Sequence, residues 1–214
     1  MEIIPNNKSG GTVKNLLALI LLLSVPALYA QSFRIGPGGG ATIILSPEEL
    51  TTNLEDGGFG LGTNFHYGAK VKLSFPLVPI RLAGQIYYTS FSSEASLATS
   101  KVEYTSSMLT LGAGCELSLI PGPISPYGAL DLLYTSNGES NLKTTIGSIT
   151  DEDKVSGESR YGVGLGIGLE VTLLPMLDID ASVKYQMNNL IGKEDGEENF
   201  NTLNISVNLL FELL

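Results

Sequence analysis

Residues Tyr161–Leu173 read Tyr-Gly-Val-Gly-Leu-Gly-Ile-Gly-Leu-Glu-Val-Thr-Leu. Every odd position is Tyr, Val, Leu or Ile, and every even position is Gly, Glu or Thr. Successive side chains of a strand point to opposite faces, whereas a helix would scatter this pattern around its axis. The stretch therefore reads as one long strand with an apolar face and a small, polar face. It is about twice the usual strand length in soluble proteins. It is also long enough to cross a bilayer, which takes a strand of about 9–11 residues.

The same alternation recurs on both sides. Downstream, Leu174-Pro175-Met176 reads as a tight turn, and Leu177–Asn188 sets Leu177, Ile179, Ala181, Val183, Tyr185 and Met187 against Asp178, Asp180, Ser182, Lys184, Gln186 and Asn188. After a loop at Asn189–Asn199, Phe200–Phe211 sets Leu203, Ile205, Val207, Leu209 and Phe211 against Asn204, Ser206 and Asn208. Upstream, Tyr127–Ser136 sets Leu130, Leu132 and Tyr134 against Ala129, Asp131 and Leu133. Glu103–Ile120 sets Leu109, Leu111, Ala113, Cys115, Leu117 and Leu119 against Thr110, two glycines, Glu116 and Ser118. Ile80–Phe91 carries Arg81, Ala83, Gln85 and Tyr87 on its polar face. Leu61–Phe75 places Leu61, Phe65, Tyr67, Ala69, Val71, Leu73 and Phe75 opposite Gly62, Asn64, His66, Gly68, Lys70, Lys72 and Ser74. The first strand, from Phe33 to Leu45, places Arg34, three glycines and Thr42 on the polar face; Pro37 in it is tolerated only near an edge or bulge.

This gives eight strands. Short proline turns (Pro76, Pro121, Pro175) alternate with polar loops at Ser46–Gly58, Ser92–Lys101, Asn137–Ser159 and Asn189–Asn199. The three hairpins across the short turns resemble one another, as the units of an up-and-down barrel do. The fold class is therefore all-β, an antiparallel eight-stranded barrel.

Composition bounds the function. The chain of 214 residues carries a net charge of −10, with 16% charged residues, 25 glycines and no tryptophan. An acidic chain without a basic patch is not a nucleic-acid binder. The one cysteine, Cys115, cannot form an internal disulfide, and zinc-ribbon or redox-pair sites lack ligands. Lys8 and Lys14 precede the apolar run Leu16–Leu23 and then Pro26 and Ala27-Leu28-Tyr29-Ala30, the pattern of an export signal with cleavage after Ala30. The expected organisation is a signal peptide over residues 1–30 and a barrel over 31–214.

Alternation alone leaves open which face meets water. A soluble ligand carrier would turn the apolar face inward, and a membrane barrel would turn it outward. The polar face favours the membrane reading. Its strand positions carry Arg34, Lys70, Lys72, Arg81 and Lys184 against Glu116, Asp131, Glu170, Asp178 and Asp180, five cations to five anions. Buried charges require partners, so a balanced set suits a closed polar interior. The aromatics agree. Phe65, Tyr67, Tyr88, Tyr134, Tyr161 and Tyr185 fall toward the long-loop ends of the apolar faces, and Phe33, Phe75 and Phe211 toward the short-turn ends. Aromatic rings favour the headgroup level.

On these residues, from about 32 to 214, the chain resembles the small eight-stranded outer-membrane barrels of the OmpA/OmpX type. The resemblance implies the outer membrane of a Gram-negative-type bacterium, membrane lipids as partners, short turns in the periplasm and long loops outside the cell. Such barrels usually end in an aromatic residue, whereas Phe211 is followed here by Glu212-Leu213-Leu214.

The ten charged strand residues are the candidate site, as a structural lumen network. An eight-stranded barrel is just wide enough for its side chains to fill, so plugging is the expected role and a narrow channel the alternative. His66, the sole histidine, would have to be the base of any Ser–His–acid site. No fixed spacing singles out a serine, so a hydrogen-bonded lumen residue is expected rather than a catalytic or lipid-modifying one. Asp151-Glu152-Asp153 and Glu194-Asp195-Gly196-Glu197-Glu198 do not fit the twelve-residue calcium-loop spacing and read as solvated loops. The expectation is a monomeric, non-enzymatic barrel without cofactor or metal, presenting acidic loops to an extracellular partner. The four glycines of the opening stretch should face inward, and Glu170 should pair with an inward Lys or Arg.

Overall fold

The computed structural model describes residues 32–75, 78–97, 100–120, 122–146 and 149–213. The expected leader and the turn prolines Pro76 and Pro121 lie outside the described residues. Ten strands follow one another: β1 (Ser32–Ser46), β2 (Thr63–Ser74), β3 (Ile80–Leu97), β4 (Ser100–Ser118), β5 (Ile124–Asn137), β6 (Ser140–Ile146), β7 (Ile149–Val155), β8 (Ser159–Leu174), β9 (Leu177–Ile191) and β10 (Asn201–Glu212). All pairings among them are antiparallel.

Eight of the ten close a barrel in the order β1-β2-β3-β4-β5-β8-β9-β10. Closure comes from β1 against β10, where Arg34 lies opposite Glu212 and Ile44 opposite Thr202. Closure removes the unpaired backbone that an open sheet edge would present. The face assignment follows from exposure. On β8, Gly162 and Gly164 are buried, while Ile167 is 70% exposed and Leu165 and Leu169 are exposed as well. On β9, Asp178, Asp180, Ser182, Lys184, Gln186 and Asn188 are all buried. The apolar face is outside and the polar face lines the lumen, the reverse of a soluble carrier.

Three segments read as loops are more ordered than the sequence suggested. Residues 92–101 contain the continuation of β3 to Leu97 and the start of β4 at Ser100. The Asn137–Ser159 segment, expected as the longest polar loop, holds the hairpin β6–β7 instead. Thr144, Thr145, Ile146, Ile149 and Thr150 supply the β-branched character that favours strands. β6 then pairs with the upper part of β4, from Ser100 opposite Ile146 to Thr105 opposite Asn141. The upper β3–β4 hairpin and β6–β7 thus form a four-stranded extension that rises off the barrel wall. Asp151, Glu152 and Asp153 lie on its outer strand, where charge discourages edge-to-edge pairing.

The third segment, Ser46–Gly58, includes the one-turn helix α1 (Glu48–Thr51) and a 3-10 turn at Leu54–Asp56. Gly60, at φ +65°, lets the chain double back. The backbone N–H groups of Phe59, Gly60 and Leu61 then donate to the carbonyls of Glu49, Thr52 and Leu50. This turn overrides the face assigned to Leu61. Rather than pointing out with Phe65, Leu61 is buried with Ile44, Phe91 and Met108 in an apolar cluster under the long loops. Leu50, Phe59, Tyr104 and Phe200 pack around it. The barrel therefore carries an apolar cap at one end and a polar interior below.

Candidate functional site

Each strand of the barrel contributes every second side chain to the lumen, so the network follows from the period of two. Toward the short-turn end, Arg34 on β1 reaches Glu170 on β8 at 2.9 Å, Asp178 on β9 at 2.9 Å and Glu212 on β10 at 3.0 Å. Arg81 on β3 meets the same Glu170 at 2.6 Å and lies 3.8 Å from Glu116 on β4. Above them, Lys70 and Lys72 project from β2 across the barrel. Lys70 pairs with Glu116 at 2.7 Å and Asp180 at 2.8 Å. Lys72 pairs with Glu116 and Glu170, each at 2.8 Å, and with Asp180. Further up, Lys184 bonds Asp131 at 2.6 Å and the carbonyl oxygen of Gln85 at 3.0 Å.

All ten charged strand residues thus face the lumen, and every cation among them has an anionic partner. Glu170 makes the expected contact with inward cations, three of them. Several of these pairs are also charge-assisted hydrogen bonds, from Lys70 to Asp180, Lys72 and Arg81 to Glu170, and Lys184 to Asp131, and such bonds are about twice as strong as neutral ones. They offset the several kcal/mol per ion that desolvation costs, provided the geometry is retained.

At the centre lies Tyr127 on β5, 1% exposed. Its hydroxyl donates to Asp180 at 2.9 Å and accepts from Lys70 at 3.2 Å. Its ring lies beneath Lys72 Nζ at 4.4 Å, Lys70 Nζ at 5.2 Å and the Arg81 guanidinium at 5.3 Å, within cation–π range. A Cβ placed on Gly168 would overlap this ring, and one on Gly166 would meet the stem of Lys184. The glycines of β8 face inward, and two of them leave room for the largest lumen side chains.

Nearer the long-loop end, His66 is held from both sides. Thr42 Oγ1 lies 2.9 Å from its Nδ1 and Ser206 Oγ lies 2.9 Å from its Nε2. Tyr87 packs against it with the rings tilted by 58° and their centroids 4.8 Å apart, and donates its hydroxyl to Asn208 Oδ1. The Ser206–His66 contact resembles part of a hydrolytic triad. The third member is a neutral threonine rather than the carboxylate that steadies an imidazolium. Among the described residues no group of His, Cys, Asp or Glu is arranged to hold a metal ion.

Sequence reasoning overlooked Tyr127, Glu212 and Arg160. Tyr127 has the same parity as Ala129 and Asp131, and Glu212 the same parity as Asn208, so alternation carried both signals. Arg160 sits one step before the quoted stretch, at the outer mouth. It bonds Glu158 at 2.5 Å and Glu197 at 2.8 Å. Partial burial pushes the Glu197 carboxyl up, but hydrogen bonds from Arg160, Asn189 and the backbone N–H of Glu194 outweigh it and hold the group at about 2. The same bonds to Glu197 and Glu158 raise Arg160 above its ordinary value.

Outside the barrel, Tyr67 and Tyr88 lie 5.6 Å apart and Tyr134 and Tyr161 5.3 Å apart, as cross-strand pairs near the long-loop ends. The model of the outer membrane protein beta-barrel domain matches residues 16–211. The chain belongs to this family. The barrel is similar to Neisserial surface protein A, with 15% identity and a TM-score of 0.50 over 84% of this chain and 96% of that one. It is also similar to a major outer membrane protein of Thermus thermophilus, with 9% identity and a TM-score of 0.53 over 85% and 99% of the two chains. At these identities the likeness is one of fold. No curated protein sequence matches the chain. Family membership places the barrel in the outer membrane of a Gram-negative-type bacterium, with its apolar face against lipid.

Proposed function

We propose that this outer-membrane barrel is plugged by its own side chains and acts as a structural and surface-interaction protein. The observation that carries the reading is the set of bridges from Lys70 and Lys72 to Glu116, Glu170 and Asp180, which joins β2 to β4, β8 and β9 across the lumen. These five side chains are at most 5% exposed. An ion moving through would have to separate pairs whose rupture leaves buried charge uncompensated, at about 3–5 kcal/mol for each partner lost.

With the lumen closed, contact with the surroundings falls to the parts outside the membrane. The four-stranded extension and the 192–200 loop present Asp151-Glu152-Asp153 and Glu194, Asp195 and Glu198 to solvent, which suits a surface that meets an extracellular partner, whereas Glu197 is turned to Arg160. The closed wall leaves no strand edge in the membrane for a second copy, which supports a monomer. Residues 1–30 fit an export signal, with the barrel domain over 31–214. Inward hydroxyls and His66 serve as lumen hydrogen-bonding groups in this reading, and the protein is not an enzyme.

Planar-bilayer recording of refolded protein tests the plug. Absence of steady single-channel steps is expected. Reproducible conductance would replace the plugged barrel with a narrow channel for ions or small solutes.

A further inference from the structure

Above the charged lumen, the outer mouth holds a cavity of about 360 Å3, near the lower end of the size range of small-molecule sites. One wall is apolar and built on the buried cluster: Ile44, Leu61 and Phe91, with Leu50, Tyr104 and Phe200 beside them. The other wall is polar and comes from adjoining strands: Thr135 on β5, Arg160 on β8 and Asn188 on β9.

Two atoms of that polar wall lack partners. Thr135 is 1% exposed and Asn188 is 0% exposed, yet Thr135 Oγ1 and Asn188 Oδ1 have no hydrogen-bond partner. The Asn188 amide is oriented by its other end, since Nδ2 donates to Thr202 Oγ1 at 3.1 Å and to the Phe200 carbonyl at 3.4 Å. The carbonyl end is therefore the free one. Asn188 Oδ1 can only accept, and Thr135 Oγ1 can accept or donate; buried polar atoms without partners are costly and uncommon, and one ligand donor reaching both would meet what the chain leaves unmet.

Charge narrows the class of donor. Glu158, Glu197 and Glu198 line the cavity, with Arg160 as the basic residue among the described lining. Arg160 is already engaged by Glu158 and Glu197. The field at the mouth is negative, so an anion is repelled and a cation attracted.

We propose that the mouth cavity binds a small amphipathic cation. Binding turns Thr135 Oγ1 and Asn188 Oδ1, which are closed to solvent in the free barrel, toward the cavity, where the ammonium group donates to them while the apolar body lies on Ile44, Leu61 and Phe91. The inference rests on the closed-lumen reading for the cavity's floor. Conductance reports on the floor and probe binding on the site, so the two fail separately.

The test uses the full barrel refolded in lipid nanodiscs and three probes of similar size: 2-phenylethylammonium, 2-phenylethanol and 3-phenylpropanoate. Backbone amide shifts follow each titration. Saturable shifts confined to the mouth are expected for the ammonium, with affinity about tenfold or more above that for the alcohol and the carboxylate, the scale of one lost hydrogen bond to a charged group. Thr135→Val should weaken the ammonium about tenfold, and Thr135→Ser, which keeps the hydroxyl, should not. Equal affinity for the three probes overturns the proposal, as does unchanged binding in the valine variant. So do shifts spread over lipid-facing residues such as Leu132 and Ile167. No saturable shift with any probe means that water alone fills the cavity, and sinks it too.

Discussion

The ring of Tyr127 fills the space that a side chain on Gly168 would need. β5 and β8 are hydrogen-bonded neighbours, with Tyr127 directly opposite Gly168, so the wall cannot yield without moving the ladder. Overpacking a filled interior costs about 1–3 kcal/mol. Gly168→Val should lower the unfolding free energy of the refolded barrel by an amount in that range, read as a lower urea midpoint at unchanged m-value. The double variant with Tyr127→Leu should recover part of the loss, because the shorter side chain vacates the contested volume. Equal midpoints for the wild type and Gly168→Val would show that the ring relocates freely.

Lys184 and Asp131 form the most separable pair in the lumen, 2.6 Å apart and sharing no other charged partner at bonding distance. Removing one member leaves a buried charge alone. Lys184→Met and Asp131→Leu should each destabilise by about 3–5 kcal/mol. The double variant should cost clearly less than their sum, since an apolar replacement of both members is often near neutral. Chemical unfolding of the four proteins closes this double-mutant cycle. Additive losses would mean that the two residues act through their other neighbours, Gln85 among them.

The barrel was legible because a period of two survives in a wall whose two faces meet different surroundings. Tyr161–Leu173 shows it in pure form, and the lumen charges inherit their placement from the same parity. What parity cannot convey is distance across the lumen. Nothing in the sequence couples Lys70 to Asp180, 110 positions apart, because the coupling depends on the curvature of the closed wall. Leu61 shows a different limit. It fits the alternation of β2, but the strand starts at Thr63 and a local turn carries Leu61 inward. The β6–β7 hairpin was hidden by its charge. Asp151-Glu152-Asp153 resembles loop composition, and its strand character rests on β4 continuing above the barrel to receive β6.

That hairpin is predicted to be dispensable for the barrel. The pairing of β5 with β8 runs from Ile124 opposite Val171 to Ser136 opposite Ser159, and all of it lies outside β6 and β7. Replacing residues 139–157 by a short glycine-containing turn should therefore leave heat-modifiable gel migration intact. The upper β3–β4 hairpin should lose order, because Ser100–Thr105 would lose its β6 partner. Amide exchange should rise there and stay low in the lipid-facing strands. Failure of this variant to form a heat-modifiable species would make the hairpin part of the folding unit.

The mouth should loosen in acid through one residue. Glu197 is held at about 2 by Arg160, Asn189 and the Glu194 amide, below the ordinary carboxyl value of about 4.3. A depressed folded-state value means that the ionised form is the one the fold prefers. Its contribution is fully present above about pH 4.3 and is lost as the pH falls toward 2. Residues 192–200, tied to β8 by Arg160 and to β9 by Asn189, should gain amide exchange and protease sensitivity over that interval while the barrel remains closed. Glu197→Gln removes the titrating group and keeps the shape, so the loop should be looser at neutral pH and lose most of its acid response. Arg160→Met should loosen it at all pH values and bring the carboxyl back up toward its ordinary range. If the loop of the Gln variant opens over the same interval as the wild type, a different carboxylate governs the mouth.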